Sequence, residues 1–203
     1  MTSPVDWIGK SHVGYVMNAE FSDDNATLIV ELMSAIKSQF GDAVYCPPRE
    51  ALHITLLDWL APLYDYGADK DELFARLQPD YDRIVAGAIA ASSPISVHFD
   101  SIQVSPSTIY ILGKDQGQFA SIRQAFVSGV ELLPGTKLPP TIVHSSLIRF
   151  QRPIPLETVR DYVAGLKLDI TERIANFRLI RNTKEPNLEF EVLKRYVLGV
   201  AVE

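Results

Sequence analysis

The chain is poor in cysteine, in positive charge and in long apolar runs, and each shortage removes a class of protein. Cys46 is the only cysteine in 203 residues, so no intrachain disulfide can form and a reducing compartment is the simplest setting. Beside Pro47 and Pro48, that thiol reads as structural rather than catalytic. Lysine and arginine number 19 against 25 aspartates and glutamates, a formal net charge of −6. Proteins that grip long nucleic acid through many phosphates are usually basic. No extended nucleic-acid surface is therefore expected, and any phosphate handled here is a small one or the end of a chain, held in a locally basic pocket. No apolar run approaches membrane-spanning length. The opening MTSPVDWIGKSH has neither a basic n-region nor an apolar h-region, so the cytoplasm is the expected location, with no membrane partner.

Several chemical signatures are missing as well. The four histidines and one cysteine show no H-x-x-x-H, C-x-x-C or H-E-x-x-H spacing, so neither a metal nor a cofactor is expected. LGKDQG is too short for a phosphate-binding G-x-x-x-x-G-K-[ST] loop, and the G-x-S-x-G elbow of serine hydrolases is absent. Low-complexity tracts are absent too. With 47% apolar and 22% charged residues, the chain reads as a globular protein with one sizeable core or two small fused lobes.

The periodicities that remain alternate strand and helix. A strand is expected at about 13–20, then a helix capped by Ser22, Asp23 or Asp24 and ended by Gly41. After the proline-marked CPPRE comes an apolar strand carrying His53, then a helix from about 70 to 91, broken near Pro79. The second half adds a hairpin at about 95–104 and 108–113, then repeats the order. It has a helix over about 116–131, a loop LPGTKLPP, a strand carrying His144, and a helix after Pro155. Two last strands are expected near 173–182 and 189–200. Arg173, Arg178, Arg181 and Lys184 read as charges on a solvated edge strand.

The strand ALHITLLDW, residues 51–59, places Leu52, Ile54 and Leu56 on one face and His53 with Thr55 on the other. One such pair is as consistent with a satisfied polar spot as with half of a site. The second half repeats it: PPREALHITLL is matched by LPPTIVHSSLI, in which His144 and Ser146 stand as His53 and Thr55 do. Strict alternation puts Ile142, His144, Ser146 and Ile148 on one face. Two imidazoles across a cleft supply one acid and one base near neutrality, and two hydroxyls can donate to charged phosphate oxygens. His98 reads as solvent-facing, and His12 has no partner signature.

The two H-x-[ST] motifs resemble those of the 2H phosphoesterase superfamily. The resemblance covers nearly the whole chain in element order. It implies an α+β fold of two pseudo-symmetric lobes, each an antiparallel sheet with helices on its outer face, around a central cleft. The chain would be a single 2H phosphoesterase-like domain over 1–203, with lobe 1 at about 10–92 and lobe 2 at about 93–203. His53 and His144 would be catalytic, and Thr55 and Ser146 would bind phosphate. The implied activity is a metal-independent phosphodiesterase acting on a 2′,3′-cyclic or 2′-5′ linked nucleotide or RNA end, in a monomer. The alternative is a non-catalytic protein that holds a nucleotide or RNA end in the same cleft. Arg149 stands where similar proteins often carry arginine, but alternation points it away from His144, so a bulge is needed to bring it in. Asp58 holds the matching place in the first half. Trp59, Tyr64 and Tyr66 are candidates to stack on a base.

Overall fold

A computed structural model describes residues 1–134 and 136–199. The first strand, β1 (Ser11–Ala19), runs into α1 (Asp23–Phe40), whose Ile29, Met33 and Ile36 follow the helical repeat onto the core. Burying each such side chain contributes about 1.5–3 kcal/mol. Ser22 takes the N-cap place but does not cap. Its N–H and hydroxyl both donate to Glu172 Oε2, at 2.9 and 3.0 Å, which ties the helix to a distant strand. Gly41 ends the helix with φ of +55°. A two-residue strand, β2 (Val44–Tyr45), precedes a short turn at Arg49–Ala51 and then β3 (Ile54–Leu60).

Asp69 caps α2 (Lys70–Ala90) by accepting from the N–H groups of Asp71 and Glu72. The helix runs through Pro79 without the expected break. The hairpin of β4 (Ile95–Val104) and β5 (Thr108–Lys114) follows, then α3 (Gln118–Gly129), β6 (Val143–Phe150) and α4 (Leu156–Ala164). The single strand expected at 173–182 is two. β7 (Ile170–Ile174) and β8 (Asn176–Lys184) are separated at Ala175 and belong to different sheets. β9 (Glu189–Val197) closes the chain, and Val200, the expected end of that strand, lies outside the described residues.

Two antiparallel sheets result, ordered β3-β1-β8-β9 and β2-β6-β5-β4-β7. α2 packs on the first sheet and against α3, which touches β3; α1 and α4 cover the second. The sheets interleave the halves of the chain, so the lobe boundary expected near residue 92 does not divide them. The C-terminal β8–β9 pair joins β1 and β3, and the N-terminal β2 and α1 join the other sheet. The reason lies in hydrogen bonding: β1 pairs with both β3 and β8, and a strand so buried needs neighbours on both edges. β8 is thus interior, not the solvated edge its basic residues suggested. Arg178 is 3% exposed and donates to Asn18 and Glu20, and Arg181 pairs with Asp71. β3, by contrast, is an edge strand, and it lies beside β6.

Candidate active site

A small local event in each sheet places the site. Along β3, Leu56 and Leu57 are both buried where alternation allows one. The pairing with β1 jumps there, from Asn18↔Thr55 to Met17↔Leu57. Along β6, Leu147 and Ile148 are both buried, and the pairing jumps from Tyr110↔Ser146 to Ile109↔Ile148. Each is a β-bulge, one extra residue that resets the alternation. After it, Asp58 faces the same way as Thr55, and Arg149 the same way as Ser146. Ile148, expected beside His144, turns into the core instead.

The four motif residues meet. His53, Thr55, His144 and Ser146 all line one cleft of about 640 Å³, together with Asp58 and Arg149. Arg149 donates to Ser146 Oγ at 3.2 Å and stacks over the Trp7 ring, 5.2 Å from its centroid. Lys137 reaches Asp58 at 3.3 Å across the cleft wall. The turn between β8 and β9 adds Glu185, Pro186 and Asn187. Asn187 has φ of +53°, a conformation asparagine tolerates better than most residues.

The two histidines are held differently. His53 sits just before β3, and its Nδ1 lies 2.7 Å from the Ala51 carbonyl. A carbonyl only accepts, so Nδ1 carries the proton and Nε2 keeps its lone pair. The Asn187 amide lies 3.4 Å from that Nε2. Burial pulls the His53 imidazole down to about 4. Arg178, Arg149 and His144 push the same way, and the Ala51 bond opposes them. His144 Nδ1 is buried without a hydrogen-bond partner. The Ile142 carbonyl, two residues earlier, favours protonation of that ring without completing a bond. Burial and then the Arg123 charge nevertheless hold His144 below its ordinary value. Both rings are therefore held toward the neutral form. The Glu185 carboxyl moves the other way. Burial, and then Asp58, push it up to about 7.

Of the aromatic candidates, Tyr64 lines the cleft. Tyr66 lies behind it, edge-on at 4.7 Å, with its hydroxyl accepting from the Ala61 N–H. Trp59 is 1% exposed, packed between Phe74 and Tyr81 in the core, so it cannot stack on a ligand. The bulge that turns Asp58 into the cleft turns Trp59 into the core. Trp7, half-buried beneath Arg149, supplies the tryptophan that lines the cleft. His98 lies at the surface near Asp100 and Asp169, and burial raises the Cys46 thiol, which makes it a poorer nucleophile. Among the described residues no group of three or more His, Cys, Asp or Glu could hold a metal ion, and no helix is long and apolar enough to cross a membrane.

The two-sheet architecture is that of solved structures at low identity. TT0787 of Thermus thermophilus superposes with a TM-score of 0.69 at 16% identity, covering 92% of this chain and 98% of that one. A protein described as a phosphoesterase gives 0.60 at 14%, covering 92% and 98%. Escherichia coli LigT complexed with 3′-AMP gives 0.58 at 12%, also covering 92% and 98%. No protein-family model matches the chain, and neither does any curated protein. The shared property is the fold: α+β, two antiparallel sheets with helices outside, around a central cleft.

Proposed function

We propose that the chain is a 2H-type phosphodiesterase, a single catalytic unit that cleaves a 2′,3′-cyclic or 2′-5′ linked phosphodiester at a nucleotide or RNA end. The observation that carries this reading is the convergence of both H-x-[ST] pairs, with Arg149, on one cleft. The likeness to a phosphoesterase and to a 3′-AMP complex of LigT supports it. In the reaction, one imidazole takes a proton from water as the oxygen attacks phosphorus. The opposite imidazole, protonated, gives its proton to the departing ribose oxygen, so the protons balance. Thr55 and Ser146 donate to the non-bridging oxygens, and Arg149 faces the same charge from beside Ser146. Which histidine is base follows from which ester bond breaks. The phosphodiester's own negative charge raises the proton affinity of both rings on binding, which supplies the protonated partner.

The test is turnover of 2′,3′-cyclic mononucleotides in the presence of excess EDTA. Wild type should turn over. His53→Ala and His144→Ala should each lose roughly 10²–10⁴ in kcat, the usual worth of one positioned proton-transfer group. Near-normal turnover by either variant refutes the paired mechanism. Nucleotide binding in the cleft without any turnover makes the protein a binding module instead. Loss with EDTA and rescue by zinc or manganese replaces the acid–base pair with a metal.

A further inference from the structure

Arg123 sits where the two histidine-bearing segments meet. It projects from α3, is 5% exposed, and gives its donors to three backbone carbonyls. Nε reaches Leu56 O at 2.7 Å, Nη2 reaches Thr55 O at 2.8 Å, and Nη1 reaches Ile142 O at 3.0 Å. The first two belong to the H-x-[ST] strand of one sheet. The third precedes His144 in the other. Because β3 is an edge strand, no further strand pairs its outer side. Carbonyls of successive strand residues normally point apart. Those of Thr55 and Leu56 converge on one guanidinium because Leu56 is the extra residue of the bulge between Thr55 and Leu57. Only arginine offers this many donors in a rigid fork.

We propose that Arg123 is a positioning residue for the paired histidines: it ties the Thr55–Leu56 backbone to the Ile142 backbone and so fixes the separation at which His53 and His144 face one phosphate. What is positioned rests on the phosphodiesterase reading above. The bridge also makes the two rings unequal. In the first motif the carbonyl two residues before the histidine accepts from Nδ1. In the second, Arg123 donates to that carbonyl, and His144 Nδ1 makes no hydrogen bond. The groups facing His144 are Arg123 from α3, Arg149 from its own strand, Lys137 from the preceding loop and the Tyr110 ring from β5; the His53 ring lies near enough to feel its charge.

Two variants separate geometry from charge. Arg123→Lys keeps the charge but cannot bridge three carbonyls. Its kcat on a 2′,3′-cyclic nucleotide should fall roughly 10–100-fold, with KM within about threefold, since small misplacements of reacting groups cost that much. Its His144 titration, followed by NMR, should stay near that of wild type. Arg123→Met should lose at least as much kcat, and its His144 midpoint should move upward, because the neighbouring cation leaves. His53, which feels the His144 charge, should not rise with it. A folded Arg123→Lys with wild-type kcat overturns the proposal, whatever its melting temperature. So does a folded Arg123→Met with an unmoved His144. If Arg123→Met does not fold, Arg123→Lys decides alone. If wild type turns over no phosphodiester, the functional reading fails. The positioning claim is then judged by a crystal structure of Arg123→Lys, where an unchanged His53–His144 separation overturns it.

Discussion

Replacing Glu185 by glutamine should stabilise the protein above neutral pH and leave it unchanged in acid. The folded-state carboxyl is pushed from 4.5 up to about 7 by burial and by Asp58. A raised carboxyl binds its proton more tightly in the folded than in the unfolded chain. Its contribution is therefore fully present below pH 4.5 and is lost as pH rises through 7. At ~1.4 kcal/mol per unit, the shift corresponds to about 3 kcal/mol at pH 8. The glutamine side chain carries no charge and keeps an oxygen for the Asn182 amide that now donates to Glu185 Oε1. In urea unfolding, wild type and Glu185→Gln should coincide near pH 4.5 and diverge by up to about 3 kcal/mol at pH 8. His53 titrates in the same window with the opposite sign, but it is present in both proteins and cancels in the difference. There is also a kinetic consequence, because Glu185 lines the cleft. Once ionised it repels an anionic substrate, so KM should rise a few-fold above pH 7 in wild type and not in the variant. A stability difference that is flat with pH would refute the reasoning, because it would mean that the carboxyl is already ionised at pH 5 at no cost.

Other perturbations probe the rest of the cleft. The proposed mechanism needs one neutral and one protonated imidazole, and both are depressed in the free protein; kcat/KM should therefore be bell-shaped with its maximum below pH 6.5, and an optimum at pH 8 would contradict the site's electrostatics. Thr55→Ala and Ser146→Ala should each lower kcat less than either histidine loss, since each removes one neutral donor while the proton path survives. Trp7→Ala should raise KM for a nucleotide several-fold at unchanged stability, whereas Trp59→Ala should cost about 3–5 kcal/mol in chemical denaturation, the usual loss for a large buried aromatic; the reverse pattern would mean that the wrong tryptophan faces the ligand. A Cβ on Gly14 would lie 2.4 Å from Pro62 Cγ in the cleft wall, so Gly14→Ala should destabilise by about 1–3 kcal/mol in urea.

The strands and helices were legible because most follow one period. α1 keeps its apolar repeat and its Gly41 stop, β5 alternates, and β4 alternates as far as the irregularity at Asp100. The pairing of strands was not legible, because order along the chain carries no term for which edges meet. Nothing in the sequence near Ala175 says that β7 and β8 part company there, so the sequence alone suggests lobes that follow the chain, where the sheets cross it. Pro79 misled for a related reason. The proline penalty is local, and the packing of Leu73, Tyr81, Val85 and Ile89 along one face of α2 outweighs it.

The site divides along the same line. The motif residues could be found because the pattern occurs twice, and two copies at equal strand phase constrain each other. Trp7, Lys137, Glu185 and Asn187 could not be found. They enter from a terminus, a loop and a hairpin turn, where no period fixes direction. Asp58 and Arg149 lie between these cases: alternation points Arg149 away from His144 unless a bulge intervenes, and the mark of that bulge is in the sequence. Leu56-Leu57 and Leu147-Ile148 are apolar doublets in strands that otherwise alternate, and a doublet is how a bulge is written in sequence. Reading both doublets as bulges turns Asp58 and Arg149 inward, five residues after their histidines, and sends Trp59 into the core. The backbone of the cleft is thus repeated in its two halves, but the charge is not, since one half presents a carboxylate where the other presents a guanidinium. In the proposed reaction, a phosphate between the two imidazoles would meet the Arg149 guanidinium on one side and, on the other, an Asp58 carboxylate partly offset by Lys137, so its two ester oxygens would stand in different fields even though the histidines beside them are related by the repeat.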